Sequence, residues 1–87
     1  MAYRVVFSRK AKRQFLDLPA IVGKRLAPRI DSLARNPRPR GAKRLSGTED
    51  IYRIRVGDYR ILYAIEHHER VVLVVKLGHR KDVYRGI

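Results

Sequence analysis

An α+β fold is expected from this sequence. It has two N-terminal helices packed on one face of a small, mainly antiparallel four-stranded sheet, in the order β-α-α-β-β-β, with a short C-terminal tail. Three features lead there. Two early stretches, about 9–18 and 20–35, repeat their apolar residues at helical spacing. Residues 51–66 alternate on either side of Gly57-Asp58, as a tight hairpin does. Residues 71–77 are apolar on both parities except at Lys76, the pattern of a strand inside a sheet.

Residues 3–7, Tyr-Arg-Val-Val-Phe, read as a first strand, placed along one edge. Ser8 is a natural N-cap for the first helix, where Ala11, Phe15 and Leu18 form one stripe. Pro19 ends that helix. In the second, Val22, Leu26, Ile30 and Leu33 mark the buried side, and Pro28 predicts a kink or a restart. So tight a connection between two helices predicts an antiparallel pair. Residues 36–50 carry Pro37, Pro39, Gly41 and Gly47 and read as the only long loop.

A two-residue loop with glycine first suits a type II′ turn. That register pairs Val56 with Tyr59, Ile54 with Ile61 and Tyr52 with Tyr63 on one face. The other face then pairs Arg55 with Arg60, Arg53 with Leu62 and Ile51 with Ala64. Like charges directly opposite one another repel, so an anion is expected across the arginines. This face should stay open, with the helices on the other. His67 to Arg70 form the next turn, and its length decides the face of Lys76: odd brings it beside Arg60, even points it toward the helices. The tail begins at Gly78.

The 87 residues make one domain. There are no cysteines, no signal-peptide pattern and no apolar run long enough to span a bilayer, so a cytoplasmic protein without membrane attachment is expected. The net charge is +13, from 21 Lys+Arg against 8 Asp+Glu. Such an excess on a small domain points to a polyanion, nucleic acid above all. Fifteen of those cations are Arg, which grips phosphate bidentately and stacks on bases. A basic membrane-binding helix would carry Trp or Phe opposite Lys, and there is no Trp. The carboxylates are scattered, which speaks against a metal site or a paired-carboxylate mechanism.

Several short motifs follow one another along the chain: Leu18-Pro19 between the helices, Asn36-Pro37-Arg38-Pro39, Gly41 to Gly47, Tyr52 to Tyr63, and Gly78-His79-Arg80-Lys81-Asp82-Val83-Tyr84. In this order and spacing they resemble the RelE/ParE toxin superfamily, specifically the RelE-type ribosome-dependent mRNA interferases, over nearly the whole chain. The resemblance implies a single RelE-like domain over 1–87, the toxin of a type II toxin–antitoxin pair. Such a toxin enters the ribosomal A site and cuts mRNA with no metal and no other cofactor. It implies as partners a cognate acidic antitoxin, the ribosome with its rRNA, and mRNA, with operator DNA reached only through the antitoxin complex. A ParE-like gyrase inhibitor on the same fold is the alternative the superfamily offers. A non-catalytic nucleic-acid-binding module is the alternative that charge alone allows.

Matched position by position, the implied catalytic residues are Arg53, Arg55, Arg60, Arg80 and Tyr84, with His79 added because some members use histidine there. The best-known member has Lys where this chain has Arg53 and Arg55. Arginine stays charged and cannot serve as a base, so the match leaves the base unassigned. Metal-free cleavage by the ribose 2′-hydroxyl needs removal of the 2′ proton, cations around the phosphorane and a proton for the 5′ oxygen. The arginines supply the cations. His79 is an imidazole, the side chain that exchanges protons near neutral pH, and Tyr84 can stack on a base or donate a proton. The remaining cations nearby, Arg38, Arg40, Lys43, Arg44, Lys76 and Lys81, are the candidates for RNA and ribosome binding.

Overall fold

The computed structural model describes residues 2–45, 47 and 50–85. Of the stretches discussed above, Ser46, Thr48 and Glu49 in the long connection, and Gly86 and Ile87 in the tail, lie outside them. Strand β1 (Arg4–Phe7) leads into helix α1 (Arg9–Leu16) and helix α2 (Ala20–Ser32), followed by strands β2 (Lys43–Arg44), β3 (Ile51–Val56), β4 (Tyr59–Glu66) and β5 (Val71–His79). The sheet runs β1-β5-β4-β3-β2, with β1 parallel to β5 and the other pairs antiparallel. It therefore has five strands, not four. The extra one lies in the supposed long loop, where Ala42 closes a turn on Pro39 and the chain runs back beside β3. Two residues between Gly/Pro signals carry no alternation that would reveal a strand.

Ser8 caps α1 as expected, its Oγ accepting from the Ala11 N–H at 3.0 Å. The same hydroxyl donates to the Val75 carbonyl, tying the helix start to the sheet. Helix α1 stops at Leu16, and the Pro19 carbonyl accepts the first N–H bonds of α2, from Val22 and Gly23. Helix α2 runs through Pro28 without a restart. Lys24 and Pro28 are both exposed, so the carbonyl left without a donor faces water. Ser32 ends the helix, and residues 33–35 continue as turns instead of helix.

The hairpin register is the expected one at all six pairs. Gly57 has φ +61° while Asp58 is not in the positive region, consistent with a type II′ turn. One sheet face supplies Ile54, Ile61, Tyr63, Ile65, Val72, Val74 and Leu77 to a core shared with Ala11, Leu26, Ile30 and Leu33 of the helical layer. The opposite face carries the arginines.

Between β4 and β5 the register slips by one residue. Glu66 pairs with Val71 across a four-residue turn, but beyond Tyr63 and Val74 the partners become Leu62 and Lys76, leaving Val75 as the extra residue of a β-bulge. An even turn alone would have sent Lys76 to the helices. The bulge turns it back to the arginine face. Helix α1 supports this stretch, because β1 ends at Phe7 and leaves the outer edge of β5 unpaired there: Ser8 meets the Val75 carbonyl, and Gln14 Oε1 accepts from the Leu77 N–H at 2.9 Å.

Candidate active site

The alternation of β3 and β4 places Arg53, Arg55 and Arg60 on the face away from the helices. Strand β2 adds Lys43 beside Arg53. Two cross-strand rows result: Lys43, Arg53, Leu62, Lys76, and then Arg55, Arg60, Gly78. Neither row contains a carboxylate, so the cations meet no opposite charge within them. Arg55 is exposed, and Arg53 is half-buried with its Nε enclosed and making no hydrogen bond to the described residues. The Arg60 guanidinium curls over the turn, one nitrogen donating to the Gly57 carbonyl at 2.9 Å and the Tyr59 carbonyl at 3.0 Å. These bonds limit its search for a partner and leave most of its donors for a ligand.

A second arginine reaches the same turn from α2. An Arg25 guanidinium nitrogen lies 2.8 Å from where a Cβ on Gly57 would stand. Nothing in the sequence marks Arg25, because the approach depends on how the helix lies across the hairpin tip.

The tail returns to the arginine face, which is therefore not fully open. The Arg80 N–H donates to the Asp58 carbonyl at 2.7 Å, and its Nε sits 3.7 Å from the Asp58 carboxylate. Both groups are exposed, so the pair contributes little by itself. Residues 79–83 then close a turn in which Asp82 and Val83 donate to the His79 carbonyl. Val83 is buried, with its Cβ 4.0 Å from the position a Gly78 Cβ would take. Tyr84 follows with 38% of its surface exposed. Lys81 is exposed as well.

Two candidates stand elsewhere than their grouping implied. His79 pairs with Tyr59 on the helix side of the sheet, its ring edge-on to the tyrosine with centroids 5.7 Å apart. Its Nδ1 accepts the Lys81 N–H at 3.2 Å, and it lines a hollow of about 350 Å³ with Gln14, Asp17, Leu18 and Asp82. Lys76 lies on the arginine face but is only 7% exposed, and its Nζ donates to the Arg85 carbonyl. The loop cations divide as well. Lys43 joins the arginine face, and Arg44 pairs with Tyr52 on the other. Arg38 is close enough to the buried Tyr63 hydroxyl to act on it electrostatically, and Arg40 is exposed in the loop.

Residues 5–84 match the family profile described as the ParE toxin of the type II toxin–antitoxin system parDE. Toxin RelG of Mycobacterium tuberculosis is 33% identical over 89 residues, covering 98% of this chain and 99% of that protein. The mRNA interferase toxin RelE of Escherichia coli K12 is 30% identical over 88 residues, covering 97% and 92%. Among solved structures, the archaeal RelE–RelB complex of Pyrococcus horikoshii superposes with a TM-score of 0.80 at 32% identity, over 95% of this chain and 100% of that one.

Proposed function

The chain belongs to the ParE toxin family of type II toxin–antitoxin systems and is a RelE-like toxin, and from that premise we propose that it is an endoribonuclease that cuts mRNA in the ribosomal A site and so stops translation. The observation that carries this reading is the face on which Arg53, Arg55 and Arg60 stand together with no carboxylate in either row. Repulsion between Arg55 and Arg60 is relieved by an anion lying across both strands. An RNA phosphate supplies two oxygens to a guanidinium fork, and the exposed Arg55 stands open to receive it. The name of the E. coli relative, an mRNA interferase, supports the same chemistry.

In that reaction the ribose 2′-hydroxyl gives up its proton to solvent as its oxygen attacks the adjacent phosphorus, and the bond to the 5′ oxygen breaks as that oxygen takes up a proton, leaving a 2′,3′-cyclic phosphate and a 5′-hydroxyl. The arginines hold the extra negative charge of the phosphorane, the kind of preorganised stabilisation that dominates many enzymatic rates. Arg80 brings a further cation from the tail. Tyr84 offers an exposed ring for stacking on a base and a phenolic proton for the 5′ oxygen. His79 faces the helices and accepts a backbone N–H, and we assign it to shaping the turn that carries Arg80.

Few groups on this face can move protons, so most of the rate must come from the ribosome aligning the 2′-oxygen with the phosphorus. Alignment of this kind is worth several powers of ten. A translation extract read by primer extension tests the proposal. Translated mRNA should be cut and the same RNA without ribosomes left intact. Efficient cleavage of naked RNA would remove the ribosome from the mechanism, and intact mRNA in the extract would refute the nuclease reading. The family description as a ParE toxin favours one second reading, gyrase poisoning. Gyrase-dependent DNA breaks without mRNA fragments would establish it.

The partner that restrains the toxin is an acidic antitoxin, partly disordered when free. The complex from P. horikoshii supports such an assembly. An apolar groove of about 590 Å³ lined by Val5, Phe7, Phe15, Leu16 and Ile30, with Lys12 and Asp31 as its charged residues, suits the apolar side of an amphipathic segment, whose acidic groups would approach the basic face. Expressed alone, the toxin should halt growth, and co-expressed antitoxin should restore it.

A further inference from the structure

We propose that Lys76 is a positioning residue, whose ammonium clips the C-terminal tail to the arginine face and so holds Arg80 and Tyr84 beside Arg53, Arg55 and Arg60. The proposal rests on the nuclease reading for its catalytic half and on geometry alone for the clip. A lysine that binds RNA keeps its charge in solvent. Lys76 does the reverse: it is 7% exposed, on a row with the fully buried Leu62, and its Nζ donates to the Arg85 carbonyl, one residue beyond Tyr84. The β-bulge at Val75 is what points it there.

Among the described residues, the tail is thus held to the sheet at three points. Asp58 takes the Arg80 N–H and faces its guanidinium at one end. Val83 is buried against Gly78 in the middle. Lys76 holds the Arg85 carbonyl at the far end. Without the last contact, the described residues around Tyr84 are anchored to the sheet only on their N-terminal side, and Tyr84 itself is exposed.

The charges around Lys76 agree with a structural duty. Lys10 approaches from α1, Arg60 lies diagonally across β4, and no acid stands in its row. Burial, reinforced by the Lys10 ammonium, lowers its pKa from the ordinary lysine value. A cation kept under these costs is retained for the contact it makes.

The test uses the whole chain with Lys76→Met and Lys76→Arg. In free Lys76→Met, amide exchange at Arg85, whose N–H donates to the Asp82 carbonyl, should speed up about tenfold, the scale of one lost charged hydrogen bond, while the melting temperature holds or rises. On saturating ribosomes its single-turnover cleavage should fall about tenfold, with the half-saturating ribosome concentration unchanged. Lys76→Arg keeps charge and donors and should recover most of both losses. Adding Tyr84→Phe to Lys76→Met should cost less than the two separate losses combined, because Lys76 acts through Tyr84. Wild-type exchange in Lys76→Met overturns the clip. So does weaker ribosome binding with normal tail exchange, which would make Lys76 an RNA contact. Faster exchange with wild-type cleavage overturns the positioning role. If the wild type cuts nothing, the nuclease reading fails separately, and the exchange measurement alone decides the clip.

Discussion

Arg60 concentrates the chemistry of the open face. It lies directly opposite Arg55, and its guanidinium is oriented by the carbonyls of Gly57 and Tyr59, which a ligand need not displace to use the remaining donors. Losing one preoriented donor to a charge-rich transition state costs about 3 to 4 kcal/mol, or roughly a hundred- to a thousandfold in rate. Ribosome affinity is shared among many cations and should fall only slightly when one is removed. Arg60→Ala should therefore abolish most single-turnover cleavage while still saturating at nearly the same ribosome concentration. A wild-type rate would place the chemistry on another face of the hairpin. Arg40→Ala should do the opposite, weakening affinity and its salt dependence with the cleavage rate nearly intact. Tyr63 shows a different use of a polar group. Its ring stacks on Tyr52, and its hydroxyl donates to the Pro37 carbonyl at 2.6 Å, fixing the connection that leads to β2. Burial and, less strongly, Tyr52 push its pKa up to about 12 against an opposing pull from Arg38. The raised value means that the folded chain keeps a proton which the unfolded chain gives up near the ordinary tyrosine pKa of about 10. This stabilisation is complete below about pH 10 and is lost as the pH climbs toward 12. Urea unfolding of Tyr63→Phe should show about 1 kcal/mol less stability at neutral pH, for the lost hydrogen bond, and a flatter decline above pH 10.

The β3–β4 hairpin was legible to the residue, because two period-2 runs and a Gly-first, two-residue turn leave one sensible register, and the six pairs follow. Its sorting into an apolar and an arginine face follows from that register. Gly57 holds the turn at φ +61°, where a side chain is strained, and an added Cβ would also press on the Arg25 guanidinium. Arg25 can swing away, so the backbone term decides the outcome. Gly57→Ala should destabilise the fold by about 1 to 3 kcal/mol, read as a lower urea midpoint with an unchanged slope. An unshifted midpoint would mean that the turn relaxes to another type. Strand β2 and the β5 bulge were not legible, each for a physical reason. Lys43-Arg44 forms a strand only because β3 offers it an edge, and two exposed cations have no pattern to show. In Val71 to Val75 every side chain is similar, so no residue marks where an extra one is accommodated. The bulge is stabilised by Ser8 and Gln14, more than sixty positions away in the chain. The face of Lys76, and with it the way the tail is held, therefore depended on tertiary contacts that local pattern cannot carry. His79 illustrates the same limit: its parity in β5 sets it against Tyr59, whereas the motif around it had suggested the arginine side.

The architecture separates two tasks. Helices on one face of the sheet supply the core, which frees the other face for charge, and the short tail closes back over part of it. The cost appears at the scale of the molecule, because 21 basic residues share it with 8 acidic ones. The two ion pairs found among the described residues, Arg80–Asp58 and Arg85–Asp82, are exposed and span 3.7 and 3.6 Å, so they relieve little of the repulsion. The extents are 33 × 28 × 25 Å. At about 0.01 M salt the screening length is roughly 30 Å, which is the size of the whole protein, so every cation feels nearly every other. At about 0.15 M it is roughly 8 Å, and only neighbours such as Arg55 and Arg60 still repel. Unfolding moves the charges apart, so screening should favour the folded chain. The melting temperature of the free toxin should therefore rise between these two salt concentrations. Polyphosphate should raise it further at equal ionic strength, because it binds the cations of the folded face together. Replacing Arg55 by Gln should remove part of the salt dependence, whereas Arg29→Gln, on the exposed side of α2, should remove less. A melting temperature indifferent to salt and polyphosphate would mean that the positive charge is too dispersed to form an anion-binding face.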